Sequence, residues 1–136
     1  LKLTKNFRLE EFINSRFYDA DSQKKVWEEF GKHESELLPK IQKLANQMQT
    51  LRDYLCTPII INIAYRPLFW ELKQGRSGTS KHIQGIACDI ITKTHSPKEV
   101  HDSIEFLITE GSILQGGLGV YPNFVHYDYR GRRARW

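Results

Sequence analysis

The stretch SKHIQGIACDII, Ser80 to Ile91, sets a histidine and an aspartate seven positions apart inside an apolar, glycine-marked run. Gly85 to Ile91 reads as a buried strand. A lone carboxylate at Asp89 inside it costs several kcal/mol or gives up its charge. Any fold for this chain must therefore hand Asp89 a partner.

The elements around this stretch follow from pattern. Ile59 to Tyr65, IIINIAY, is a β-branched run closed by Arg66-Pro67, and predicts a second buried strand. Two short strands, Leu118 to Tyr121 and Phe124 to Tyr129, are expected after Gly116-Gly117, joined by a turn at Pro122-Asn123. Alternation puts Phe124, His126, Asp128 and Arg130 on one face and Val125, Tyr127 and Tyr129 on the other. Leu38, Ile41, Leu44, Ala45, Met48, Leu51 and Leu55 make one apolar stripe on a helix from about Leu37 to Tyr54, ended by Pro58. Ser96-Pro97-Lys98-Glu99 is a capping box with proline at the first helical position, and Gly111 is the expected stop. A short helix is expected over Leu9 to Asn14, helix or loop over Arg16 to Glu36, and an irregular loop over Pro67 to Thr79. The segregation of helices from a hairpin-containing sheet predicts an α+β fold with a small antiparallel sheet, residues 1–136 forming a single domain.

Composition narrows the classes. With 40% hydrophobic and 26% charged residues and no membrane-length apolar run, the chain reads as soluble and globular. The net charge of +4, with Arg130, Arg132, Arg133 and Arg135 crowded together, fits an anionic partner or a solvated basic tail. A nucleic-acid role would rest on RGRRARW alone, which carries no reading motif, so no nucleic-acid partner is expected. Cys56 and Cys88 match no disulfide or metal spacing and are expected in the core. The opening LKLTKNFRLEEF lacks the layout of a secretory signal, which leaves localisation open.

His82, Asp89 and His126 are the candidate metal ligands. Catalytic zinc takes three imidazole or carboxylate ligands and keeps a fourth position for water. The competing reading makes His82 an ordinary core histidine and pairs Asp89 with Arg66. Spacing and burial leave both open, and His33, His95 and His101 are expected at the surface.

Ser80 to Asp89 resembles the SxHxxGxAxD signature of the zinc D-alanyl-D-alanine carboxypeptidase family, whose fold is shared with the hedgehog signalling domain. Ile61 to Arg66 is similar to that family's strand ending in SGYR. Phe124 to Asp128 resembles its late ligand strand, and Asn6 to Phe12 its NFTLxEF opening. The resemblance implies a hedgehog-type fold with Zn2+ on His82, Asp89 and His126. It also implies Arg66 as the partner of a substrate carboxylate and Ser80 near the substrate. The activity implied is hydrolysis of peptidoglycan stem peptides by a monomer, as a carboxypeptidase or an endolysin-like endopeptidase. The family's usual base position, three before the last histidine, holds Asn123 here, which cannot take a proton. Asp128 is the nearest substitute, with orienting His126 or pairing with a tail arginine as its other roles. Ala64 replaces a family glycine, and Trp70 to Gly78 replaces its asparagine- and glycine-containing loop, which bears on specificity. Phe69 and Trp70 are candidates for the groove wall or for the core. The alternative function is a zinc-binding module without catalysis, or a phage structural protein with this fold.

Overall fold

The structure is a computed structural model that describes residues 1–136. Five helices, α1 (Leu9–Ile13), α2 (Ala20–Lys32), α3 (Glu34–Leu55), α4 (Leu68–Lys73) and α5 (Pro97–Thr109), accompany five strands. The strands are β1 (Ile60–Ile63), β2 (Ala87–Ile91), β3 (Gly117–Val120), β4 (Val125–Asp128) and β5 (Ala134–Arg135), in sheet order β1-β2-β4-β3-β5. The fold is α+β, as expected, and the first four strands are antiparallel neighbours. The sheet is mixed, because β5 joins β3 in parallel. No helix is long and apolar enough to cross a membrane.

The two faces of the sheet have different jobs. Cys88 and Ile90 on β2, with Val125 and Tyr127 on β4, are completely buried in one core with Ile41, Leu44, Met48 and Leu51 of α3 and Ile104 of α5. Each fully buried aliphatic side chain there stabilises the fold by about 1.5–3 kcal/mol. The alternate residues, Asp89, His126 and Asp128, are left on the opposite face. Register then makes neighbours of them: Asp89 stands directly across from His126 in the β2–β4 ladder.

Local chemistry sets the element ends. The Ser96 hydroxyl accepts from Glu99 N–H while the Glu99 carboxylate accepts from Ser96 N–H, so the capping box starts α5 where expected. α3 ends at Cys56, which takes a left-handed φ of 54°, before Pro58 is reached. Cys56 is consequently exposed rather than in the core, whereas Cys88 is buried. The expected loop after Pro67 contains α4, and the charged segment before Glu34 folds as α2, capped by Asp19 accepting from Ser22 N–H. The RGRRARW stretch is no loose tail: Arg135 reaches both carboxylate oxygens of Glu105 on α5 at 2.8 Å and ties β5 down.

Candidate metal centre and cleft

His82 sits on a single 3₁₀ turn, Lys81–Gln84. Ser80 begins the turn, its hydroxyl accepting from His82 N–H at 3.2 Å, and Gly85 ends it with φ 76°. A side chain at Gly85 would also press on Leu37 and Ile41 at 3.2–3.3 Å, so glycine lets the turn lie against α3. The Arg66 N–H donates to the His82 carbonyl at 3.2 Å, fastening this turn to the end of β1.

His82, Asp89 and His126 come together with one potential ligand atom from each, all within 4.8 Å of one another. His82 Nε2 lies 3.3 Å and His126 Nδ1 3.1 Å from the same oxygen, Asp89 Oδ1. Ligands of a tetrahedral zinc, about 2.0–2.2 Å from the metal, stand roughly 3.3–3.6 Å apart, close to these separations. The other ring nitrogens are occupied behind the site. His82 Nδ1 is 2.7 Å from the Ala64 carbonyl oxygen, and His126 Nε2 is 2.7 Å from Asp128 Oδ2. Each outer partner can only accept, so each outer nitrogen carries the proton, and the inner lone pairs face a carboxylate. Three acceptors with no donor among them fit a cation. The residues present therefore suit a zinc ion.

Asp128 is wholly buried and does not line the cleft. It accepts from Arg130 Nε at 2.9 Å and Nη2 at 2.8 Å, and from Gly117 N–H at 3.0 Å. A Cβ at Gly117 would collide with Asp128 Oδ2, which reserves that position for glycine.

These contacts set the ionisation of the site. Burial opposes the charge on Asp89, but the close approach of the His126 and His82 rings outweighs it and holds the carboxyl well below the usual range. Burial opposes Asp128 as well, and Arg130 followed by His126 overcomes it in the same direction. Burial lowers His82, against the pull of Asp89. For His126 burial is outweighed by Asp128 and Asp89, and its pKa rises.

The three residues form the floor of a cleft of about 570 Å³. Arg66, Arg76, Lys81, Arg130 and Arg132 line it, and Asp89 is the one acidic residue on its surface. Tyr121 and Phe124, stacked at 4.4 Å, form an aromatic rim with Trp136, whose Nε1–H donates to the Tyr121 hydroxyl at 2.7 Å. A second cavity of about 400 Å³ adjoins the first, with Arg66, Arg76, Asp89 and Phe124 common to both.

The structure brings His82, Asp89 and His126 together, with Asp128 behind His126. Arg66 and Ser80 lie on the cleft wall, with Arg66 Nη2 3.4 Å from the Ser80 hydroxyl. The alternative Asp89–Arg66 pair does not form, since the carboxylate beside Arg66 is Glu71, 3.4 Å from its Nε. Trp70 lines the second cavity while packing edge-on against Tyr18, and Phe69 packs on the core. Asn123 is exposed and lies outside the cleft. Sequence reasoning missed Glu71, Arg76 and Trp136, and placed Arg132 only in a basic cluster suited to an anionic partner or to solvent. Only Glu71-Leu72-Lys73-Gln74-Gly75-Arg76 held a readable signal, an acid and a base bracketing a glycine helix stop.

Such a donor set on the floor of an open, cationic cleft has the composition of a catalytic zinc centre. The sequence profile of the peptidase M15 family matches residues 14–128, and the chain belongs to that family, the zinc D-Ala-D-Ala carboxypeptidase-like peptidases. No curated protein matches the sequence.

Proposed function

We propose that this protein is a zinc peptidase of peptidoglycan stem peptides, with His82, Asp89 and His126 holding the metal. The observation that carries the reading is the meeting of two imidazole lone pairs and a carboxylate oxygen in a cleft open to a peptide. When bound, zinc supplies Lewis acidity that activates water and polarises the scissile carbonyl. The chain's own groups do the rest. The Ala64 carbonyl and Asp128 fix the ring tautomers, and Arg66 presents a planar guanidinium to a substrate carboxylate. Ser80 holds the His82 turn beside Arg66, and Tyr121, Phe124 and Trp136 wall the cleft. Asp128 is assigned to orienting His126 rather than to general base catalysis, because its oxygens are engaged and none faces the cleft. A single catalytic domain over residues 1–136, working as a monomer, completes the proposal.

The test is elemental analysis of wild type and His82→Ala in parallel, followed by incubation of the zinc-loaded protein with stem peptides. About one zinc per chain, lost in the variant, together with release of free amine from the peptides, is the expected result. Absence of metal in both proteins after reconstitution overturns the reading. A second reading, a zinc-binding module without catalysis, is favoured by one observation: no carboxylate other than Asp89 lines the cleft. Zinc at full occupancy with every peptide left intact is its signature.

A further inference from the structure

Glu71 is a completely buried carboxylate, on α4 and outside the metal centre. Its oxygens are divided between two arginines: Arg76 Nη1 donates to Oε2 at 2.9 Å, and Arg66 Nε lies 3.4 Å from Oε1. Burying a carboxylate is expensive unless cations meet it, and here one anion is met by two. The triad therefore keeps one positive charge over, and it stands on the wall shared by the two cavities.

Local backbone geometry builds this arrangement. α4 ends with Gly75 at φ 77°, Gly75 N–H donating to the Leu72 carbonyl at 3.0 Å and Arg76 N–H to the Glu71 carbonyl at 2.9 Å. That pair of bonds is a Schellman stop, which sets the residue after the glycine against the residue five before it, usually as an apolar contact. Here the contact is an ion pair. The same carboxylate that steadies Arg66 thus also holds Arg76.

Both guanidinia have donors to spare. Each carries five N–H groups. Arg76 commits Nη1 to Glu71, and its side chain is 46% exposed. Arg66 turns its buried Nε toward Glu71, and of its outer nitrogens Nη2 makes only the long contact with Ser80.

We propose that Arg66 and Arg76, spaced by Glu71, form a two-guanidinium clamp for a substrate bearing two carboxylates near the scissile bond, a terminal carboxylate and an acidic side chain. This rests on the peptidase reading and narrows its substrate class. Arg76 is the specificity-determining residue for the second carboxylate, and Glu71 is the positioning residue for both arginines.

Glutarate and its monoamide, glutaramate, are the probes, their binding to the zinc-loaded protein followed by NMR titration at fixed ionic strength. Wild type is expected to prefer glutarate about ten-fold or more, the range of one charge-assisted pair of hydrogen bonds. In Arg76→Gln most of that preference is lost, glutarate binding falling more than glutaramate binding, and Arg76→Lys restores part of it. Arg66→Gln weakens both probes. Glu71→Gln risks the fold by leaving buried cations unmatched, so the half-exposed Arg76 is the decisive position. Equal binding of the two probes by wild type, or a full glutarate preference in Arg76→Gln, overturns the proposal. Because the readout needs no hydrolysis, failure of the peptidase reading shows separately, as intact stem peptides alongside a preserved glutarate preference.

Discussion

Asp128 does its work without touching the cleft. It holds the outer proton of His126 while Arg130 and the Gly117 N–H hold its own oxygens. Partners that orient a metal-binding histidine are typically worth ten- to a hundred-fold in metal affinity. Asp128→Asn, which removes the charge facing both His126 and Arg130, is therefore expected to weaken zinc about ten-fold or more in a chelator competition. A general base would behave differently: zinc affinity would stay at the wild-type level and only hydrolysis would vanish. This single substitution distinguishes a general base from a residue that orients His126.

Two elements hold the cleft in shape, α5 and the short strand β5. Glu105 of α5 receives Arg135 of β5 through two hydrogen bonds at 2.8 Å. Arg135 also donates to the Gly116 carbonyl, and Trp136 follows directly into the aromatic rim. The Arg135 hydrogen bonds hold the Glu105 carboxyl below its ordinary value against some burial. A carboxylate depressed in the folded state contributes stability that is present above its unfolded pKa and is lost as pH falls through the folded one. Glu105→Gln should thus cost about 1 kcal/mol near neutral pH in urea unfolding, and its deficit against wild type should shrink as the pH falls below about 4. At the start of α5, Ser96→Ala removes the hydroxyl that caps Glu99 N–H. A loss of about 1 kcal/mol is expected, with no change in zinc content.

Across the whole molecule, charge is distributed unevenly. The net charge is only +4, yet four arginines and a lysine face one cleft with a single acidic residue. Such a surface concentrates anionic ligands and is screened by salt, with a Debye length of about 10 Å at 0.1 M. Raising the salt from about 0.05 to 0.5 M is expected to raise KM for an anionic stem peptide several-fold. The kcat should change little, because His82, Asp89 and His126 are largely buried and shielded from solvent ions. A kcat that fell in step with the rise in KM would place the salt sensitivity in the chemistry instead. The same view decides the fate of the basic stretch: Arg130, paired with Asp128, and Arg132 face the cleft, while Arg135 is tied to Glu105.

The sequence alone determined the features written in short-range pattern. The apolar stripe of α3, the capping box of α5 and the alternation of β4 all follow from spacing, as does the setting of His126 and Asp128 on the face away from Val125 and Tyr127. Asp89 had to find a partner because charge cannot be buried alone, and that much was legible too. The partner itself was decided by the tertiary structure. Register set His126 opposite Asp89, and the Gly85 turn carried His82 to the same oxygen. Arg66 was drawn instead to Glu71, whose burial depends on a helix that the glycine-marked stretch had concealed. β5 escaped notice for the same reason: two residues carry no period, and only the edge of β3 and the Glu105 carboxylate make them a strand. Periodicity and burial cost act along the chain and can be read from it, whereas pairing depends on which distant groups the fold leaves within a few ångströms of one another.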